Sequence, residues 1–232
     1  MKKRVTLRVL LCFLTLCVLS IACLTISFAT YQQNIALAIE HGSCVNIPAT
    51  PDYIGSRSAS DAIAAINHAR LFEHLRPLRL PRTFYQMNAV QQQFVLVNLE
   101  RTDRGLRPLQ MNPVLSAMAL NYSRQLSHLH FFSHTSPISG TFAQRINNNP
   151  AIAHRYSLAE ENLAGNPVAG VGPIYEYMYN DAAEHCGHRL NILSPSPKLI
   201  GIGVVPDSTY GSISAQEFLA LLPGVSSLNP MR

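Results

Sequence analysis

The chain has 232 residues, 47% of them hydrophobic and 13% charged. That is enough apolar material for one packed domain with appendages, and short of what two would need. The net charge of +5 is concentrated at the start: Lys2, Lys3, Arg4 and Arg8 carry four charges, and the remainder holds 14 basic against 13 acidic residues. A nucleic-acid partner, which requires a concentrated basic footprint, is thereby excluded.

The four charges precede an apolar run, Val9 to Phe28, broken only by Thr, Ser and Cys. A basic n-region, an apolar h-region and small residues at Ser27 and Ala29 fit a secretory signal, residues 1–29. The run is also about 20 residues, enough to span a bilayer, so an uncleaved membrane anchor is the competing reading. Either way the positive end stays cytoplasmic and the rest is exported, to the extracellular space or the outer face of the cell membrane. Three of five cysteines lie in this segment; the two outside it, Cys44 and Cys186, are compatible with one disulfide in an oxidising compartment or with two unrelated thiols.

Residues 30–87 read as a linker with one short helix, Ala62 to Leu75, capped by Asp61 and ended by the Pro77 and Pro81 run. The strongest periodic segment starts near Asn88 and stops at Gly105, with Val90, Phe94, Leu96 and Val97 on its apolar face. Asn112-Pro113 marks the N-cap and first residue of the next helix, whose stripe includes Leu115, Ala119, Tyr122 and Leu126. A short helix is expected at Phe142–Asn147 and another from Gly172 to Asp181, with a glycine-marked loop between Gly165 and Gly172. Lys198–Val205 reads as a buried strand, and a turn leads to a second through Ile213 and Phe218. Helices early and strands late indicate an α+β domain over 88–222, followed by a tail, 223–232.

Several arrangements of candidate chemistry fail on spacing. Glu184-His185-Cys186-Gly187-His188 lacks the His-Glu-x-x-His order of a zinc protease helix, and Gly187 argues against a helix there. The histidines at 128, 130 and 134 diverge if helical. Nucleophile elbows, P-loops and dinucleotide fingerprints are missing from the chain.

A better set is Ser133-His134, Glu160-Glu161-Asn162-Leu163 and Gly187-His188-Arg189-Leu190-Asn191-Ile192-Leu193, with Val95–Arg101, Gly105-Leu106, Pro108-Leu109 and the strand Ile200-Gly201-Ile202-Gly203-Val204. On these pieces, in this order over about Gln92 to Phe218, the chain resembles the CAP superfamily (cysteine-rich secretory, antigen 5 and pathogenesis-related proteins), in its bacterial exported branch. The resemblance implies a three-layer α-β-α sandwich and a cleft of two histidines and two acids. His134, Glu161 and His188 match three positions; Asp181 is the choice for the fourth, with Glu176 and Glu184 as fallbacks. Tyr177 stands where an aromatic precedes the Gly-His motif. The usual aromatic-Trp-Thr-Gln strand is reduced to Ser214-Ala215-Gln216.

Two imidazoles and two carboxylates suit a divalent metal such as zinc, with His134, Glu161 and His188 as candidate ligands. The same set suits acid–base work, or a polar cluster that orders loops. Asn162 and Asn191 are expected to hold backbone, and Arg189 to pair with Glu161 or Glu160. The expected function is a secreted or membrane-tethered module binding a partner or ligand, such as a lipid or envelope component, without enzymatic action. The alternative is a metal-dependent hydrolase at the cell envelope.

Overall fold

A computed structural model describes residues 58–228. The signal-or-anchor segment and Cys44 lie outside the described residues. Among the described residues, no helix is long and apolar enough to cross a membrane.

The chain first forms helix α1 (Ala59–Phe72), whose N-cap is Ser58 rather than Asp61; the Ser58 hydroxyl accepts from the Asp61 amide. This helix falls in the segment read as linker, yet it is part of the domain. Ala62, Ile63, Ala65, Ile66 and Ala69 are buried, and the chain after it folds back through Phe84, also fully buried. Helix α2 (Ala89–Thr102) starts with a full capping box between Asn88 and Gln91 and ends before Gly105, whose φ of +76° requires a residue without Cβ. Strand β1 (Gln110–Met111) follows, then α3 (Pro113–His128), entered through an Asn112 side chain that accepts from the amides of Val114 and Leu115.

Next come a small hairpin, β2 (Thr135–Ser136) and β3 (Gly140–Thr141), and the short helix α4 (Phe142–Asn148), again with a capping box, between Thr141 and Gln144. Strand β4 (Tyr156–Gly165) precedes α5 (Gly172–Tyr179) and α6 (Gly187–Leu193); β5 (Leu199–Asp207) and β6 (Gly211–Leu221) form the closing hairpin. The main sheet runs in the order β1-β5-β6-β4, with β1 parallel to β5 and the other pairs antiparallel.

Helices cover both faces of this sheet, which gives the α-β-α layering. On one face Leu219, Ala215 and Ile213 of β6 pack with Leu115, Ala119, Tyr122 and Leu126 of α3. Gly201 and Gly203 make that layer thin, since a Cβ at either would lie 2.2 Å from backbone of Leu115 or Leu120. On the other face Ser214 and Gln216 donate to the Gln93 side chain of α2. The alternation along β6 thus turns Ile213, Ala215 and Leu219 to α3 and Ser214 and Gln216 to α2.

Two expectations change here. The stretch Glu160–Leu163, not anticipated as a strand, is the middle of β4; its neighbours supply the ladder that its own polar sequence does not advertise. A helix does begin at Gly187. His185 and Cys186 both adopt positive φ before it, and the Asp181 carboxylate accepts from the Arg189 amide at 3.0 Å, capping the first turn. Cys186 is buried and disulfide-bonded.

A candidate binding cleft built on two acid-backed histidines

The site assembles on edge strand β4. Glu161 points to the α3 face, where its Oε1 meets His134 Nδ1 at 2.8 Å and its Oε2 accepts from Arg145 Nη2 of α4 at 2.5 Å. The neighbouring residue, Asn162, points to the other face and donates to the His188 carbonyl at 3.1 Å. Asn191 of α6 donates to the Glu161 carbonyl and to Asn162 Oδ1. Alternation along one strand therefore attaches the His134 pair and the His188 helix to adjacent residues. Both asparagines hold backbone, as their types suggest.

His188 has its own acid: Nδ1 lies 2.6 Å from Asp181 Oδ1. Glu176 instead accepts from Asn180, and Glu184 is exposed in the 3-10 turn Ala182–Glu184. The Tyr177 ring is 5.0 Å from the His188 ring. Both carboxylates are buried behind their imidazoles, with side-chain exposures of 2% for Glu161 and 1% for Asp181 against 53% for His134 and 17% for His188. Each imidazole spends Nδ1 on its acid.

Arg145 was not legible as a site residue, yet it organises the His134 side. Its guanidinium stacks 3.4 Å above the Tyr122 ring and donates to the carbonyls of His134 and Gly140, each at 3.0 Å. Tyr122 in turn donates to the Ser133 carbonyl. The loop carrying His134 is thus tied down by backbone bonds independent of its imidazole. Nothing in the local pattern of α4 distinguishes Arg145 from a solvated helix arginine. A groove of about 760 Å³ between α3 and α4 is lined by Val114, Met118, Tyr122, Arg145 and Pro150 among others, so it shares two walls with the His134 pair.

Arg189 does not reach Glu161 or Glu160. It donates to Glu73 at 2.7 Å and to the Met178 carbonyl at 2.6 Å, because α6 turns it toward the end of α1. The acid of Glu160 lies instead near Arg101, and its burial pushes its carboxyl up to about 7 against that guanidinium. Arg101 itself donates to the carbonyls of Ile192 and Ser194, anchoring the end of α6.

Among the described residues no group of three or more His, Cys, Asp or Glu side chains is placed to hold a metal ion. Glu161 has both oxygens engaged, so as a ligand it would have to give up His134 or Arg145. The carboxylates behind Nδ1 are positioned to orient the imidazoles.

Glu217 of β6 stands directly opposite Glu161 of β4. It is fully buried and neither oxygen has a hydrogen-bond partner. Burial, with Glu161 beside it, raises its carboxyl well above the ordinary value despite Arg145. In the unfolded chain this acid ionises near 4.5; above that pH the folded form binds more protons, so stability falls as pH rises until the buried carboxyl ionises. Glu160 adds the same sign between 4.5 and about 7. Thermal melts are expected to show Tm declining between about pH 5 and 8, with a slope of up to roughly 1.4 kcal/mol per pH unit per group. Glu217→Gln should flatten that decline; an unchanged slope would show that Glu217 does not hold its proton.

An α-β-α sandwich carrying two acid-backed histidines around an edge strand defines a class of domain, and the sequence comparison assigns the family. A model of the cysteine-rich secretory protein family, CAP, matches residues 94–219, and the chain belongs to that family. It is similar to YkwD, an uncharacterised protein of Bacillus subtilis (strain 168), at 32% identity over 124 residues, 53% of this chain and 44% of YkwD. Among solved structures it is similar to an extracellular SCP-domain protein of Bacillus anthracis, at 26% identity and a TM-score of 0.49, covering 62% of this chain and 44% of that one. An outer surface protein of Borrelia burgdorferi matches at 17% identity and a TM-score of 0.47, over 59% of this chain and 97% of that one. The chain spans less than half the length of the two Bacillus relatives.

Proposed function

We propose that this chain is an exported CAP-domain module that binds a lipid or other envelope component in the cleft and its adjoining groove, without chemistry of its own. The observation that carries this reading is the direction of the acids. Glu161 and Asp181 are both buried and bonded inward, so neither carboxylate is left facing a ligand as a general base. The groove along α3 has the size of a small-molecule site and meets the His134 pair through Tyr122 and Arg145.

The test is a mass-spectrometric inventory of molecules extracted from the protein purified from its native envelope. A co-purifying apolar or amphipathic compound that is lost in Met118→Trp, which would fill the groove, supports the reading. The same inventory in wild type and variant would sink it.

A second reading, a divalent-metal site serving a hydrolase, draws on one feature: a buried acid behind each imidazole is the arrangement that orients metal-ligating histidines. The two Nε2 atoms would be the protein's ligands, one short of the three of a catalytic zinc centre. Zinc is expected to leave the Tm of wild type unchanged under the binding reading. A rise abolished by His188→Ala would favour the metal.

A further inference from the structure

Helix α1 buries one apolar face and exposes two large apolar side chains at its C-terminal turn. Its inner face buries Ala62, Ile63, Ala65, Ile66 and Ala69. Its outer face shows Ala64, His68, Leu71 and Phe72 at helical spacing, with Leu71 58% and Phe72 63% exposed. Ser60, Asp61 and His68 are polar on that side, so the large exposed apolar surface is confined to the last turn, at Leu71 and Phe72.

The chain then doubles back along that helix. Arg70 Nε donates to the Arg76 carbonyl at 2.9 Å, and the Leu78 amide donates to Asn67 Oδ1 at 2.8 Å. This return holds Arg76 and Leu78 against α1, with Arg79 next in the chain and Arg82 three residues further; all three arginines are exposed and, among the described residues, none is in an ion pair. The nearby acids are already taken: Glu73 by Arg104 and Arg189, Glu100 by Arg70 and Arg104, Asp103 by Arg70. Between Asp61 and Glu100 the sequence contains no acid other than Glu73. Tyr85, 57% exposed, follows the last arginine.

We propose that this surface docks onto an anionic phospholipid bilayer, Leu71 and Phe72 entering the interface and the three arginines meeting the headgroups. Two features select that occupant. The charge is complementary to an anionic surface and is not neutralised by an ion pair among the described residues. The apolar run Val9–Phe28, read above as a signal or a membrane anchor, ends about 30 residues before α1, a length of chain that can span at most roughly 100 Å. A run retained as an anchor therefore keeps this surface within reach of the membrane, where each weak contact acts at high effective concentration.

The chain contains no tryptophan, so Phe72→Trp places a unique fluorophore on the surface. The full chain carrying that substitution, reconstituted in phosphatidylglycerol vesicles, is expected to show blue-shifted emission quenched by brominated lipid. In phosphatidylcholine vesicles the emission should stay that of a water-exposed indole. Adding Arg76→Glu, Arg79→Glu and Arg82→Glu, or high salt, should weaken docking at least tenfold, since one arginine near an anionic surface contributes about fivefold. Three results would overturn the proposal: water-exposed emission on phosphatidylglycerol, an equal shift on both lipids that survives the charge reversals, or a shift without vesicles. In that last case, independence of protein concentration would mean that another part of the chain covers Phe72, and dependence on it that a second copy does. The substituted positions are exposed, so matching thermal melts verify that each variant is folded.

Discussion

Glu100→Ala is expected to destabilise the domain by about 3–5 kcal/mol, read from urea unfolding. Glu100 is fully buried, and its Oε2 accepts from Arg70 Nη1 at 2.8 Å, from Tyr179 at 2.9 Å and from Arg104. Burial pushes this carboxyl up, yet the Arg104 and Arg70 guanidinium groups outweigh it and hold it below its ordinary value. Removing it leaves two buried cations facing each other with only Glu73 and Asp103 to share. Tyr179→Phe removes a hydroxyl that donates to Glu100 and accepts from Arg104 but leaves the ion pairs in place, and should cost less, about 1.5–3 kcal/mol. An alanine variant as mild as the phenylalanine variant would mean that water enters to solvate the arginines. The same network also couples α1 to the cleft, since Glu73 bridges Arg104 and Arg189 next to His188.

Arg145→Ala is expected to cost a similar 3–5 kcal/mol and also to loosen His134. The substitution removes the charge that faces Glu161 and Glu217, the stack on Tyr122, and two bonds to carbonyls of the His134 loop. Adding Glu161→Gln should recover part of the loss, because the remaining defect is an uncompensated carboxylate; the double-mutant cycle measures how much. Arg145→Lys should rescue poorly, as an ammonium cannot span three acceptors in a planar fork while stacking on a ring. Full additivity of Arg145→Ala and Glu161→Gln would dissolve the proposed coupling. Broadening or loss of the His134 imidazole resonances in Arg145→Ala, with His188 unaffected, would locate the damage on the β4 face argued above.

Helices with strong local signals were legible before any coordinates. The segment from Asn88 shows in its apolar periodicity, Asn112 with Pro113 carries a start signal, and Gly105 carries a stop. The β5 strand announces itself by Ile, Val and Gly between prolines. Strand β4 does not: its Glu160-Glu161-Asn162 centre has neither alternation nor β-branched residues, and it is extended because β6 offers a ladder from Tyr156 to Gly165. Helix α6 runs against the local signal of Gly187, since its start is secured by a distant cap, Asp181. The short helix expected at Ala62–Leu75 is present as α1, and what the sequence left open was its packing. Its short apolar repeat is ambiguous alone and becomes decisive once α5 and the Arg70–Glu100 pair are in place.

By itself, then, the amino-acid order determined the α+β class and, through motif order, the resemblance to the family; that resemblance in turn named His134, Glu161 and His188, with Asp181 chosen over Glu176 and Glu184. Tertiary structure alone decided which acid stands behind which imidazole. It also brought Arg145, Tyr122 and Glu217 around Glu161 and turned Arg189 toward Glu73. Those outcomes join residues from separate elements of the chain, and the packing of α3, α4 and α6 around one edge strand is what makes them neighbours.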